Sequence, residues 1–181
     1  MTIAGPAVVL PPEGQAVLVR FDDREVTVWW GTDGDVDRMG TSAGRVMTWP
    51  TAETCRDSAR RAGWTATGTD DTADPSAVDC RPAQAWLRDP RAGLDCVSAL
   101  DTWNLQWDVV ASRTGAYPVL TRTQARCHSE LTMAAVPWST GAAGYRPRWT
   151  AAELRCVRAA LNGAIHALRT SLCIPGSWTP P

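Results

Sequence analysis

Three polar residues in the middle of the chain share one face of a predicted helix. Asp101, Asn104 and Asp108 are three and four residues apart, which places the two carboxylates about 10 Å apart along the helix axis. A carboxylate pair at that separation suits an inverting hydrolysis, with one acid and one base. Such pairs usually come from separate elements, however, so a solvent-facing or arginine-paired stripe is the preferred interpretation.

A second polar stripe lies near the C-terminus. It consists of Arg155, Arg158, Asn162, His166 and Arg169, again at helical spacing. Guanidinium groups bind carboxylate or phosphate in a bidentate manner, so this stripe could receive an acidic protein surface or a nucleic acid. The sequence pI of about 6.1 is far from that of a basic nucleic-acid-binding domain, which favours a protein. A solvated helix face is the alternative without function.

Two short motifs resemble metal sites but fail at the demanding positions. Asp33, Asp35 and Asp37 open like a calcium loop, yet Arg38 replaces the sixth-position glycine and Gly44 the twelfth-position glutamate. The segment 127–130 reads Cys-His-Ser-Glu and contains the H-x-E of zinc deaminases without their P-C-x-x-C. With two histidines in the chain, a three-histidine zinc site is impossible. We therefore expect no metal and no cofactor.

The basic residues of the chain exclude several enzyme classes. All 18 are arginine and none is lysine. A P-loop nucleotidase, a protein kinase and a Schiff-base or pyridoxal enzyme each need a lysine, so none of them can be built from this sequence. The abundance of alanine, glycine, arginine and proline is also typical of a GC-rich bacterial genome.

Charge is distributed unevenly along the chain, although the net charge is −1. Residues 1–110 carry 17 acidic residues and 10 arginines, whereas residues 111–181 carry 2 acidic residues and 8 arginines. The two halves could pack together and neutralise each other, or each could face a partner.

Size and composition predict one globular domain over residues 1–181. The ten tryptophans are dispersed, so most are expected to fill the core in place of phenylalanine, which occurs once. The six cysteines lie far apart without a C-x-x-C pair and are expected to be free, mostly buried thiols. A basic leader and a membrane-length apolar run are both lacking, so we expect a cytoplasmic protein without membrane contact.

The pattern of apolar residues predicts an α+β fold. An N-terminal antiparallel sheet, made of a hairpin plus one or two short strands, is expected to pack against C-terminal helices. The predicted regions are strand-rich 1–67, an acidic connection 68–82, helical 83–173 and a tail 174–181. Within them we predict strands at 15–21, 24–30, 46–49 and 64–67, a loop at 31–44, and helices at 52–62, 82–88, 94–113, 121–134 and 151–172. Thr150 and Glu153 form a capping box for the last helix.

Two segments carry a resemblance to known proteins. Residues 100–108, LDTWNLQWD, resemble a WNL…D segment of small bacterial α+β proteins of an immunity-like type. Residues 145–153, YRPRWTAAE, resemble their Y-x-P-x-W-[ST]-x-x-E motif before a final helix. The resemblance covers roughly the C-terminal half of the chain. It implies the fold and, by analogy, a partner such as a toxin, and it carries over no catalytic residues.

These observations lead to one hypothesis and two alternatives. The preferred hypothesis is a non-enzymatic cytoplasmic protein-binding module, immunity- or antitoxin-like, that binds a charged partner surface. One alternative is a small hydrolase with Asp101 and Asp108 as its carboxylates. The other is nucleic-acid binding through the arginine face.

Overall fold

The chain folds into a sheet-containing N-terminal half and a helical C-terminal half. A computed structural model describes residues 8–9 (backbone only), 11–34, 36–67, 76–136 and 144–172. The strands are β1 (Val8–Val9), β2 (Glu13–Phe21), β3 (Arg24–Asp33), β4 (Val36–Met39), β5 (Thr41–Ser42), β6 (Arg45–Val46), β7 (Thr65–Ala66) and β8 (Ser76–Asp79). The helices are α1 (Ala52–Arg61), α2 (Arg81–Arg88), α3 (Cys96–Thr114), α4 (Arg122–Ala135) and α5 (Ala151–Ser171), with a 3-10 turn at Pro90–Ala92.

The α+β class is confirmed, and the N-terminal sheet packs against C-terminal helices as predicted. The main sheet has the order β4-β3-β2-β7, and β8 also pairs with β2. The sheet is mixed rather than purely antiparallel, because β7 and β8 both run parallel to β2. A parallel pairing needs a crossover, which helix α1 provides between β6 and β7. A smaller antiparallel sheet has the order β1-β5-β6.

Two predicted irregular segments contain strands instead. The predicted loop at 31–44 holds β4 and β5, and the end of the predicted connection at 68–82 holds β8. These strands are two to four residues long: β4 pairs with β3, β8 with β2, and β5 with β1 and β6. Their stability comes from that pairing, which the residue pattern of so short a segment does not predict. The predicted tail at 174–181 lies outside the described residues.

The hairpin of β2 and β3 is buried on both faces, whereas the alternation predicts one buried face. Val17, Val19 and Val28 pack against Leu105 on α3 and Leu168 on α5. On the opposite face, a second apolar cluster joins the sheet to α1 and consists of Ala16, Trp29, Met47, Trp49, Cys55 and Ala59. Helix α1 covers this second face, so the sheet lies between two helical layers.

The two long predicted helices are confirmed: the helix predicted at 94–113 is Cys96–Thr114, and the helix predicted at 151–172 is Ala151–Ser171. The side chain of Asp95 accepts from Ser98 N at the start of α3, and Gly115 ends this helix in the left-handed region at φ 82°. Thr150 and Glu153 form the predicted capping box of α5. In each helix the capping residue fixes the end of the helix, and the apolar periodicity gives it one apolar face that packs in the core. Both signals lie within a few residues of each other.

Half of the eight described tryptophans are buried in the core, and the other four are partly buried and pack against it. Trp29, Trp49, Trp86 and Trp103 are buried, whereas Trp30, Trp64, Trp107 and Trp149 are partly buried. The five described cysteines are free thiols: Cys55, Cys80 and Cys127 are buried and Cys96 and Cys156 half-buried. Trp138, Trp178 and Cys173 lie outside the described residues.

Gly31 is expected to be essential for the β2–β3 pairing. It lies opposite Gly14, and a Cβ atom added to Gly31 would come within 1.8 Å of the Glu13 carbonyl oxygen. We expect Gly31→Ala to lower the free energy of unfolding by about 3 kcal/mol, the upper part of the range for overpacking. Guanidinium denaturation followed by circular dichroism measures this change.

Gly163 provides the matched control. It lies on the exposed side of α5, and an added Cβ atom there meets nothing within 4 Å. Gly163→Ala is expected to raise stability by about 0.5–1 kcal/mol because alanine favours helix. A Gly31→Ala variant as stable as the natural protein would contradict the close approach of the two strands.

Candidate functional site

A pocket of about 470 Å³ lies where strands β3 and β4 meet helix α3. We call it the acidic pocket. Two carboxylates, three aromatic rings and an amide line it, together with two apolar residues: Trp30, Asp37, Asn104, Trp107, Asp108, Tyr117, Pro118 and Leu120. Tyr117 is 39% exposed, so its ring is open to solvent. The pocket thus combines negative charge with aromatic surface.

Asp108 is the most unusual group of the acidic pocket. Its side chain lies on α3 and the residue is 6% exposed. Burial raises the pKa of this carboxyl to about 7, and the nearby Asp37 charge adds to the effect, while a hydrogen bond from Tyr117 opposes it. Among the described residues, no arginine forms an ion pair with Asp108. A buried carboxylate without a cationic partner is costly when ionised.

Tyr117 connects the two carboxylate-bearing elements. Its hydroxyl oxygen accepts from the main-chain N–H of Asp37 at 2.9 Å, and the same hydroxyl, through its interaction with the Asp108 carboxylate, lowers the pKa of that group. Next to this contact, Met39 N donates to Ser112 Oγ at 2.7 Å. These bonds hold β4 against α3. They explain why Asp108 is buried although its helix face is polar.

Asp37 has no arginine partner within the described chain either. Its carboxylate accepts from Thr32 Oγ1 at 3.1 Å. The neighbouring Arg38 pairs with Asp33 instead, at 3.4 Å between Nη1 and Oδ2. Two carboxylates therefore share one pocket without a guanidinium group between them. A bound cation would relieve their mutual repulsion.

Helix α4 supports the opposite wall of the pocket through His128. The imidazole ring stacks on Trp107, with centroids 4.4 Å apart and planes inclined by 21°. Asn104 Oδ1 lies 2.8 Å from His128 Nε2, and an amide oxygen can only accept, so Nε2 carries the hydrogen. Burial lowers the pKa of His128, which favours the neutral ring. His128 therefore positions Asn104 and Trp107 rather than entering the pocket.

The three polar residues predicted on α3 are only partly brought together. Asn104 and Asp108 line the acidic pocket, but Asp101 does not. Asp101 is half-buried, and burial followed by the Asp95 charge raises the pKa of its carboxyl. The expected solvent-facing stripe is wrong for Asp108, because β4 and Tyr117 cover that part of the helix. The second pocket carboxylate is Asp37, on an element predicted as a solvated loop.

The arginine stripe on α5 divides into three environments. Arg169 forms a bidentate pair with Asp22 in the β2–β3 turn, with nitrogen–oxygen distances of 2.6 and 2.8 Å. Asn162 and His166 are exposed. Arg155 and Arg158 line a groove of about 310 Å³, which we call the arginine groove. Its other lining residues are Trp86, Pro90, Gly93, Leu94, Trp149 and Leu154.

The charged halves of the chain do not neutralise each other extensively. Among ion pairs between described residues, Arg169–Asp22 is the one that joins residues 1–110 to residues 111–181. The others are local, such as Arg81–Asp79 at 2.6 Å and Arg126–Glu153 at 2.9 Å. Between described residues, the Arg169–Asp22 pair therefore offsets little of the unequal charge of the two halves.

The motifs that resemble metal sites have other roles where they are described. Asp33 pairs with Arg38, whereas Asp35 lies outside the described residues. Glu130 accepts from the Tyr145 hydroxyl, and His128 is held by Asn104. Within the described ranges, no group of three His, Cys, Asp or Glu side chains is arranged to hold a metal ion. No helix in the same ranges is long and apolar enough to cross a membrane.

Comparison with known proteins gives no indication of function. No protein-family model matches the chain, and no curated protein or solved structure matches it significantly. The acidic pocket, which contains the buried Asp108 carboxylate, is therefore the main indication of function.

Sequence reasoning did not identify the three aromatic residues of the pocket. The spacing of Trp107 matches the apolar positions of α3, and alternation along β3 gives Trp30 the same side as Val26 and Val28, so neither pattern indicates a pocket. Tyr117 was not singled out, although it follows Gly115, the residue that ends α3. That position is a usable signal, because a side chain just after a helix C-cap is held near the last turns of the helix.

Proposed function

We propose that this chain is a non-enzymatic protein-binding module, immunity- or antitoxin-like, whose acidic pocket receives a basic side chain of its partner. The observation that carries the proposal is the buried Asp108 carboxylate, which has no cationic partner among the described residues. A guanidinium or ammonium group would supply the missing charge. We propose that the partner is bound in the cytoplasm of a bacterium.

The walls of the pocket fit such a group. Trp30, Trp107 and Tyr117 present aromatic rings beside the two carboxylates. Cations are attracted to aromatic faces, and aromatic cages with acidic residues bind ammonium and guanidinium groups. A desolvated charge pair is worth more than an exposed one, since the local dielectric constant is lower. A pocket volume of about 470 Å³ also accommodates a side chain of this size.

A hydrolase is the second candidate, and one observation favours it. Asp108 has a pKa of about 7, which suits a general acid, and Asp37 lies in the same pocket. The pair would be Asp37 and Asp108, since Asp101 lies outside the pocket lining. Two observations speak against a hydrolase. Tyr117 has a structural role, because it holds β4 next to the end of α3, and His128 is not free for acid–base chemistry, because it contacts Asn104 and Trp107.

Nucleic-acid binding through the arginine stripe has less support. Arg169 is paired with Asp22, and Arg158 donates to the Leu87 carbonyl oxygen. A nucleic-acid site needs several free cations that follow a backbone. The stripe supplies one described arginine without a partner, Arg155.

The test is quantitative capture of a partner by matched variants. The natural protein is immobilised, exposed to lysate of the source organism at low and high salt, and its bound proteins are identified by mass spectrometry. The affinity of the recovered partner is then measured for the natural protein, Asp108→Asn and Asp101→Asn. We expect Asp108→Asn to weaken binding by about 30-fold or more, since removing one charge of a buried pair costs at least 2 kcal/mol or so. Asp101→Asn, on the same helix but outside the pocket, should bind normally.

The direction of pH dependence gives a second readout. Protonated Asp108 carries no charge, so binding should be weaker at pH 5 than at pH 8 for the natural protein but not for Asp108→Asn. Recovery of no stoichiometric partner at either salt would refute the protein-binding proposal. Equal affinity of Asp108→Asn would refute the role of the pocket. Hydrolysis of nitrophenyl glycosides or esters that is lost in Asp108→Asn and retained in Asp101→Asn would establish the second candidate instead.

A further inference from the structure

We propose that the arginine groove is a second binding site, which takes a small organic anion with an apolar body, such as an aryl or acyl carboxylate. The groove lies between α2, the 3-10 turn and the start of α5. It shares no lining residue with the acidic pocket. The inference is independent of the proposed function, because it uses different residues and the opposite charge.

The interior of the groove is apolar. Trp86 is 4% exposed, and Leu94, Trp149 and Leu154 are half-buried around it. Two indole rings and two leucines provide surface for an aromatic ring or a short acyl chain. The volume of about 310 Å³ lies at the lower end of the range for small-molecule sites. This surface selects a ligand with an apolar body.

The rim of the groove is cationic. Arg155 and Arg158 are three residues apart on α5 and therefore lie on one face of the helix. Arg158 Nη2 donates to the Leu87 carbonyl oxygen at 3.0 Å, which fixes this guanidinium at the end of α2. Arg155 makes no hydrogen bond or ion pair with any described residue. Its fork is free to bind a carboxylate in a bidentate manner.

Two carboxylates that are close in sequence to the groove residues are already engaged. Asp89 accepts from Arg91 N at 3.1 Å, and Asp95 accepts from Ser98 N at 2.9 Å, so both cap the elements that they precede. Neither lines the groove. One fixed and one free guanidinium above an apolar floor complement an amphipathic anion.

The test uses 2-naphthoate, its uncharged analogue 2-naphthamide, and decanoate, titrated by calorimetry and by tryptophan indole NMR signals. We expect 2-naphthoate or decanoate to bind with a Kd of about 1 mM or lower, the scale for a ligand of that size. The amide should bind at least about tenfold more weakly than naphthoate, because it cannot form a charge-assisted pair with Arg155.

Two arginine variants assign the binding. Arg155→Gln, at an exposed position that should not affect folding, is expected to lower the naphthoate affinity about tenfold. Arg122→Gln, an exposed arginine at the start of α4, makes the same charge change outside the groove and should leave the affinity unchanged. Asp108→Asn should likewise have no effect. Equal binding of acid and amide, an unchanged Arg155→Gln, or no binding of either acid at about 20 mM, well above that Kd scale, would each overturn the proposal.

Discussion

The Asp108→Asn variant is expected to gain stability over the natural protein as the pH rises from about 4 to about 8. Burial raises the pKa of Asp108 from 3.8 to about 7, so the folded state binds more protons than the unfolded state in this interval. The contribution of this carboxyl to stability is therefore fully present below about pH 4 and is lost as the pH rises through 7. Asparagine does not ionise and avoids the loss.

Between pH 4 and pH 8 the stability of Asp108→Asn relative to the natural protein is expected to rise by about 4 kcal/mol. The pKa of Asp108 is about three units higher in the folded than in the unfolded state, and each unit corresponds to about 1.4 kcal/mol. The measurement is the difference in free energy of unfolding between variant and natural protein, from guanidinium denaturation at pH 4, 6 and 8. A difference is needed because Asp22 and Asp79 act in the opposite direction. Their arginine partners, Arg169 and Arg81, lower the pKa of these carboxyls.

Tyr117→Phe provides the control for the environment of Asp108. The tyrosine hydroxyl interacts with the carboxylate and lowers its pKa, so its removal should raise the Asp108 pKa further and move the transition to higher pH. An NMR titration of the Asp108 carboxyl carbon measures this directly. A stability difference that stays constant from pH 4 to pH 8 would show that Asp108 is solvated, and would remove the basis for the acidic pocket.

Trp103→Ala is expected to have the second large effect, a loss of about 3–5 kcal/mol in the free energy of unfolding. Trp103 is 1% exposed and belongs to the cluster that joins α3 to α4 and α5. Its ring also packs in T-shaped contacts with Trp107 and His128, with centroids 6.2 and 5.7 Å away. Removing it leaves a cavity behind the wall of the acidic pocket.

Chemical denaturation at constant pH measures this loss, with Val119→Ala as the control. Val119 is 97% exposed and its replacement should change stability by less than about 0.5 kcal/mol. If the Trp103→Ala protein remains folded, its Trp107 and His128 should be less ordered, which broadens their NMR signals. A loss below 1 kcal/mol or so would contradict the packing of Trp103 in the core.

The acidic pocket also gives the resemblance to immunity-like proteins a testable form. The resembling segment 100–108 contains Asn104, Trp107 and Asp108, which all line the pocket. The other segment, 145–153, contains Trp149, which lines the arginine groove. Partner capture with Asp108→Asn therefore tests whether the first segment has a binding role beyond its structural one.

Local chemistry in the sequence was sufficient to predict the long helices. An apolar stripe and a capping residue lie within a few positions of each other, so α3 and α5 are visible without knowledge of the rest of the chain. The hairpin of β2 and β3 was equally accessible, since its strands are adjacent and joined by Asp22 and Asp23. The lysine-free composition excluded several reaction classes in the same direct way.

The candidate site, in contrast, was decided by tertiary structure. Asp108 is placed on α3 by the sequence, but it is buried by Tyr117 and by β4, and Asp37 on β4 is 71 residues earlier in the chain. The short strands β4 and β8 form only because longer strands are present to pair with them. Propensity and periodicity act over a few residues, whereas burial depends on contacts between distant segments. The sequence alone therefore determined which carboxylates exist and which helix holds them, and the packing of β4 on α3 determined which one has a pKa near 7.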